Sequence, residues 1–258
     1  MDLAAKVLPI LQETRGMLLP FHGNAGKLEY KSGAAHDVVT RLDREIESFL
    51  STELKKVDPS IEFAGEEFGG TRSAQRFWLC DPIDGTAHFV RGTPFCTVML
   101  ALIENGQVTF SAIYDFLNDD VYHATRGKGA FKNDEPIHVS DRPMNDAYLA
   151  WETHLDKDEN LERFIRLRKK TILFKTISAG YEFVLVASGK VEGRVMFDPH
   201  GKDWDFAPGS LLVSEAGGVV ANIGARSYDY QNLNFIAANK AMFEELTEGP
   251  DAIFPIVE

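Results

Sequence analysis

The sequence predicts a layered α/β protein, and three observations carry that expectation. Apolar residues recur at helical spacing over residues 3–19 and again from Leu42 to Leu54. Short β-rich apolar runs bounded by turn residues follow, from Ile61 to Phe131. Beyond Pro143, strand-like and helix-like stretches alternate, as in βαβ connections. The chain therefore divides near residue 143. Residues 1–143 make a helix pair on an antiparallel sheet, and residues 144–258 make a smaller α/β layer that completes the site.

Leu3, Val7, Leu8, Leu11 and Leu18 share one helix face, which Pro20 ends and Gly23 turns into a loop. Residues 28–39 are polar and lack a clear period, apart from Val38-Val39. Thr40-Arg41-Leu42-Asp43 opens a second helix with Leu42, Ile46, Phe49, Leu50 and Leu54 on its apolar face. Thr40 and Asp43 have the spacing of a capping box, with Asp where Glu or Gln is usual. Ile61–Ala64 is a strand running into the acidic, glycine-flanked stretch Gly65-Glu66-Glu67-Phe68-Gly69-Gly70. Phe77-Trp78-Leu79-Cys80 is a second buried strand, and it ends in Asp81-Pro82-Ile83-Asp84-Gly85-Thr86. Residues 96–103 and 107–114 form a hairpin across Glu104-Asn105-Gly106, because Asn-Gly tolerates positive φ. Residues 121–124 and 127–131 continue the meander. Gly127-Lys128-Gly129 lacks the spacing of a P-loop and reads as a turn. In the second half, residues 148–151, 172–177 and 191–197 are strands, and 161–167 and 179–188 are helices. The loop 198–205 leads into a helix capped by Asp205, with Pro208 near its first turn and Gly217-Gly218 at its end. Residues 219–221 and 235–238 are closing strands, and a last helix covers 241–246.

At 44% apolar content, the 258 residues suffice for one sizeable core or two packed halves. A net charge of −12 excludes nucleic acid and anionic membranes as partners. It also repels an anionic substrate unless cations intervene. Cys80 and Cys96 lie in apolar runs and read as reduced core thiols of a cytoplasmic protein. No signal peptide is expected at the N-terminus, and no apolar run approaches membrane-spanning length.

Taken singly, each acid has a structural explanation: a cap, a turn, a solvated loop. Taken together, Glu66, Asp81, Asp84 and Asp205 all fall at strand-to-turn or loop-to-helix junctions. If the fold gathers them, four carboxylates share one site at a cost of several kcal/mol, which divalent cations remove. Hard oxygen donors without Cys or His favour Mg²⁺ over Zn²⁺. The seven histidines are scattered and form no zinc motif. Gly85 and Thr86, opening a helix, add backbone N–H donors for a phosphate. Paired metal ions of this kind activate water and stabilise a leaving oxygen. Thr86 and Asp43 stand where they can orient that water. A rival is the Asp-x-Asp-Gly-Thr motif of haloacid-dehalogenase-type phosphatases, whose first Asp attacks phosphorus. Here the two acids are separated by one residue too many for that role.

These residues resemble the inositol monophosphatase family of Mg²⁺-dependent, lithium-sensitive phosphatases. Asp81 to Thr86 with Phe89, Gly92 and Pro94-Phe95 is similar to its first motif. Trp204-Asp205 with Glu215-Ala216-Gly217-Gly218 is similar to its second. Asp37-Val38-Val39-Thr40 with Asp43, and Gly65-Glu66-Glu67, match its upstream motifs, and the order agrees from Lys31 to Asn239. The resemblance implies an αβαβα sandwich of the sugar-phosphatase type, a homodimer and two or three Mg²⁺ ions. Glu66, Asp81 and the Ile83 carbonyl would hold one ion. Asp81, Asp84 and Asp205 would hold the second, with Glu66 helping a weaker third. Asp84, Gly85 and Thr86 would contact phosphate, while Thr86 and Asp43 orient water, so Glu66, Thr86 and Asp43 carry the catalytic roles. Asp198, Ser178 and Ala179 fall where the family lines the substrate pocket, and Asp205 belongs to the same wall.

The expected reaction is hydrolysis of a small polyol phosphate, inositol monophosphate first, by direct attack of water. Histidinol phosphate, fructose 1,6-bisphosphate and 3′-phosphoadenosine phosphate remain open through Ala87-His88, Pro208 and Ser178-Ala179-Gly180-Tyr181, where the chain departs from the family pattern. A catalytically silent binding relative is the non-enzyme alternative. Its weakness is that all four clustered acids are present.

Overall fold

The computed structural model describes residues 3–26, 28–30 and 38–257. Asp37, Lys31 and His36 lie outside the described residues. The chain starts with α1 (Leu3–Leu18), a small ribbon of β1 (Leu28–Tyr30) and β2 (Val38–Thr40), and α2 (Arg41–Val57). It continues through β3 (Glu62–Gly65), β4 (Gly69–Gly70), β5 (Arg76–Asp84) and α3 (Thr86–Arg91). The meander is β6 (Thr97–Glu104), β7 (Gln107–Asp115), β8 (Asp120–Thr125), β9 (Ala130–Lys132) and β10 (Glu135–Pro136). The second half runs β11 (Tyr148–Glu152), α4 (Asp158–Lys170), β12 (Ile172–Lys175), α5 (Ala179–Ala187), β13 (Gly193–Met196) and α6 (Asp203–Glu215). It closes with β14 (Val219–Asn222), β15 (Phe235–Ala238) and α7 (Lys240–Thr247).

Strand alternation sorts these elements into five layers. In β5 and β6, Trp78, Cys80, Val98, Leu100 and Leu102 face α1 and α2, where they pack with Val7, Leu11, Ile46 and Leu50. The intervening Phe77, Leu79, Met99, Ala101 and Ile103 face α5 and α6, with Phe183, Phe206 and Leu212. Met196, Phe235 and Ala237 of the second sheet close on the same two helices. That sheet's other face, Val195, Ile236 and Ala238, packs with Leu167 of α4 and Met242 and Leu246 of α7. The fold is the expected αβαβα sandwich. The core around α5 and α6 draws on residues from both sides of position 143.

The large sheet has the order β10-β9-β8-β7-β6-β5-β3-β4, and the smaller one β12-β11-β13-β15-β14. The large sheet is not wholly antiparallel: β3 runs parallel to β5, pairing Gly65 with Cys80. This register sets the residue after Gly65 beside the residue after Cys80, so Glu66 falls next to Asp81. The Asn105-Gly106 hairpin forms as expected, with φ of 50° and 77°. The Gly127–Gly129 turn receives an anion from its own chain: both amides donate to the Glu215 carboxylate, at 2.8 and 2.9 Å. No helix among the described residues is long and apolar enough to cross a membrane.

α5 and α6 cross in close contact because Gly209 has no side chain. A Cβ there would fall inside the ring of Phe183, which is fully buried. Gly209→Ala should therefore destabilise the protein by about 1–3 kcal/mol through overpacking. Urea denaturation checks this, and a midpoint at or above wild type would mean that the helices separate freely.

Candidate active site

Asp81 and Asp84 are an odd number of residues apart, so a regular strand would point them to opposite faces. The pairing of β5 with β6 shows how this is avoided. Asp81 pairs with Met99 and Asp84 with Thr97, and the register shifts between them. Three residues on β5 span what two span on β6, which is a bulge. Pro82, which has no N–H to give a ladder, sits inside it. Parity flips across the bulge: Ile83 packs with Trp78 and Cys80 against the α1–α2 layer. Asp84 consequently joins Asp81 on the α5–α6 side.

Each acid is then held in place. Asp81 Oδ1 accepts the Ile83 N–H at 3.1 Å. Asp84 accepts from the backbone N–H groups of Ala179 and Gly180 at 3.0 and 2.9 Å, from Thr97 Oγ1 at 3.1 Å, and from Ser178 Oγ. Gly180 permits this approach, since a Cβ there would overlap Thr97 Oγ1. Ser178 and Ala179, expected to line the substrate pocket, are buried and turned onto Asp84 instead. Asp205 was expected to cap α6, but the helix begins two residues earlier, at Asp203, with Lys202 as its N-cap. Asp205 occupies the third helical position, and its Oδ2 accepts the Lys202 N–H at 2.5 Å. Oxygens of Asp81, Asp84 and Asp205 lie within 4.8 Å of one another. Glu66 lines the same cleft.

Burial, then the neighbouring charges of Glu66, Asp205 and Asp84, pushes the Asp81 carboxyl well above its ordinary range. Burial first and the surrounding acids next push Asp205 up to about 7, against the opposing Lys202 amide.

Thr86 opens the six-residue α3, with Gly85 before it at φ 79°. A Cβ on Gly85 would collide with the Phe95 carbonyl. Thr86 Oγ1 lies 2.9 Å from Asp43 Oδ1 and 2.9 Å from the Ile83 carbonyl. The hydroxyl has one proton, and a carboxylate is the stronger acceptor. Donation to Asp43 leaves the Thr86 lone pairs free to accept from water. Asp43 also completes the capping box of α2, its Oδ2 accepting from Thr40 N–H and Oγ1 at 2.7 and 2.8 Å. The capping role and the site role coexist on the two oxygens of one carboxylate. Burial raises Asp43 to about 6.

The cleft, about 460 Å³, is lined by Glu66, Asp81, Ile83, Gly85, Thr86 and Asp205. Glu152, Lys175, Thr176 and His200 also line it. Asp198 is not among the lining residues. Its φ is 54°, and its carboxylate is turned onto Lys157 Nζ at 2.6 Å and Asn160 Nδ2 at 2.9 Å. The Lys157 ammonium and the Asn160 amide hold that side chain away from the cleft. Glu152 takes the acidic place in the wall, accepting the His200 backbone N–H at 3.2 Å, and the His200 ring lies against His154 with centroids 3.7 Å apart and planes tilted by 46°. Sequence reading passed over Glu152, although an acid ending a strand, as Asp81 does, was a usable signal. His200 read only as one scattered histidine among several.

The profile of the inositol monophosphatase family matches residues 1–249. The chain belongs to the inositol monophosphatase family. The fructose-1,6-bisphosphatase/inositol-1-monophosphatase of Thermotoga maritima is 30% identical, over 93% of each chain. Inositol monophosphatase 1 of Bos taurus is 31% identical over 87% of this chain and 85% of its own. The crystal structure of the extragenic suppressor protein SuhB from Bartonella henselae superposes with a TM-score of 0.85 at 28% identity, covering 94% of this chain and 95% of that one. As a member of this family of phosphatases, the chain is an enzyme that hydrolyses phosphate monoesters.

The donor set fits a hard divalent cation. Asp81, Asp84 and Asp205 offer carboxylate oxygens, no Cys or His among the described residues joins the cluster, and two of the three carboxyls are held against their own charge. Buried carboxyls at the site make stability depend on pH. Asp43 and Asp205 bind a proton more tightly in the folded chain than at their ordinary value of 3.8. Below about pH 4 both states are protonated, and as pH rises through 6 and 7 the folded state loses stability relative to the unfolded one. Metal-free protein should melt at a lower temperature at about pH 7.5 than at about pH 5, and Mg²⁺ should raise Tm more at the higher pH. A flat profile in thermal denaturation with and without EDTA would contradict this.

Proposed function

We propose that this chain is a Mg²⁺-dependent phosphomonoesterase acting on a small polyol phosphate, with inositol monophosphate as the first substrate. The observation that carries this reading is the convergence of Asp81, Asp84 and Asp205 within 4.8 Å beside the Thr86–Asp43 pair. Glu66, Asp81, the Ile83 carbonyl, Asp84 and Asp205 would hold two or three Mg²⁺ ions. Bound there, the ions would neutralise phosphate and leaving-oxygen charge and make water acidic enough to attack.

The remaining work falls to the protein. Gly85 and Thr86 offer backbone N–H groups to the phosphate oxygens. Thr86 Oγ1 accepts a hydrogen bond from the attacking water while donating its own to Asp43, which fixes the direction of attack. Glu152 can accept hydroxyl groups of a polyol, and Lys175 and His200 border the same space. Asp198 then acts indirectly: its carbonyl accepts from His154, whose ring lies in tilted contact with His200. A bisphosphate is the second reading, favoured by the ammonium of Lys175 in a wall otherwise rich in carboxylates. A homodimer in the cytoplasm completes the proposal, and light scattering tests the dimer.

Phosphate release from a panel of inositol, histidinol, sugar and nucleotide phosphates, with Mg²⁺ or EDTA, is the decisive experiment. Turnover should require Mg²⁺, favour a polyol phosphate, and be inhibited by Li⁺. Asp84→Asn should lower kcat by more than the roughly 10–100-fold that follows loss of a group hydrogen-bonded to a metal ligand, with the fold intact. Absence of turnover across the panel would sink the assignment, and near-normal activity of Asp84→Asn would remove that residue from the site.

A further inference from the structure

α2 reaches the site twice. Asp43 and Glu47 are one helical turn apart and share a face. Asp43 meets Thr86, as described. Glu47, only 1% exposed, extends to the turn that follows β3. Its two oxygens accept the backbone N–H groups of Glu67 at 2.7 Å and Phe68 at 2.9 Å. These are the two residues directly after Glu66. On the other side of Glu66, Gly65 leaves the room that Glu47 fills, since a Cβ on Gly65 would overlap the Glu47 carboxylate. The backbone N–H of Glu66 itself is fixed by the Cys80 carbonyl at 3.2 Å. The Glu66 backbone is therefore clamped between a strand and a buried carboxylate.

A buried acid carrying this geometry needs a reason. Glu47 packs in the α1–α2 layer, where an apolar side chain would serve the core as well. Its oxygens are spent on two amides that an ordinary turn would leave to water. We infer that Glu47 is a positioning residue for metal binding: it holds the 65–68 turn so that the Glu66 carboxylate faces Asp81 and Asp205. The inference rests on the proposed metal role of Glu66. α2 thereby works as a rigid bar that fixes the water-orienting pair through Asp43 and a metal ligand through Glu47.

Two substitutions attack the same contact from opposite sides. Glu47→Gln keeps the side-chain volume but turns an NH₂ group toward one of the two amides. Gly65→Ala pushes a methyl group into the Glu47 carboxylate. Mg²⁺ binding to the full chain, measured by calorimetry and by competition with Mn²⁺ in EPR, should weaken about 10–100-fold in each variant. The Mg²⁺ concentration for half-maximal phosphatase activity should rise in parallel, while kcat at saturating Mg²⁺ stays within about threefold of wild type. The double variant should cost less than the sum of the two, because both remove one interaction. A purely structural role would lower Tm and leave the Mg²⁺ affinity of the folded protein unchanged, and that result in either folded variant overturns the inference. Failure of the wild type itself to bind Mg²⁺ would overturn the metal reading instead, so the two failures are distinct.

Discussion

Like charges buried at close range are the constraint on which this molecule turns. Three carboxylates lie within 4.8 Å and a fourth lines the same cleft, in a chain whose net charge is already −12. Such a cluster works against folding unless something opposes it. Part of the opposition is built in. Asp84 accepts two backbone N–H groups and two hydroxyls, and Asp205 accepts the amide that begins its own helix. Only part of the charge is met this way, which leaves Asp81 and Asp205 inclined to hold protons. The remainder is what a divalent cation can take up, so the site's discomfort and its affinity for metal have a single origin.

The layers around the site supply rigidity in proportion to that cost. β5 is an interior strand of the large sheet and is buried along nearly its whole length. α6 passes between the two sheets and delivers Asp205 at its first turn. The Arg72–Asp203 ion pair, with Arg72 stacked on Trp204 4.9 Å from the ring centre, fastens that turn to the loop after β4. On the far side, the fully buried Arg194 donates to the Ala179 carbonyl at 2.9 Å and lies 3.4 Å from Glu182 Oε2. Glu182 in turn accepts the Ile177 N–H at 2.5 Å. The stretch that supplies Asp84's donors is thus pinned from behind.

Much of this was legible in sequence, for identifiable reasons. Helical spacing revealed α1 and α2, and Asn105-Gly106 revealed its hairpin, because both signals are local. Asp81, Asp84 and Asp205 could be grouped because each stood at an element's end beside glycine, proline or tryptophan. What could not be read was direction. Asp198 has the right place in the chain, yet Lys157 and Asn160 draw its carboxylate away from the cleft. Ser178 and Ala179 stand near the site but serve Asp84. Glu47 gives no local sign at all, since an acid in an amphipathic helix ordinarily faces water. Its role exists only because Gly65, distant in sequence, makes room for it.

The bulge between Asp81 and Asp84 has a consequence for how such a site can change over time. The two acids share a face across an odd separation because the bulge absorbs the extra residue. Substituting either acid weakens the site and leaves its shape intact. Deleting one residue between them would remove the bulge and leave the carboxylates two apart and still on one face, but without the turn in which the Ile83 N–H reaches Asp81 and the Ile83 carbonyl meets Thr86. The extra residue therefore sets the local turn of the chain at the site and not the face on which the acids lie. A descendant of this chain can lose its chemistry by a single substitution, or by a change of length here, and still keep the strand that carries the site.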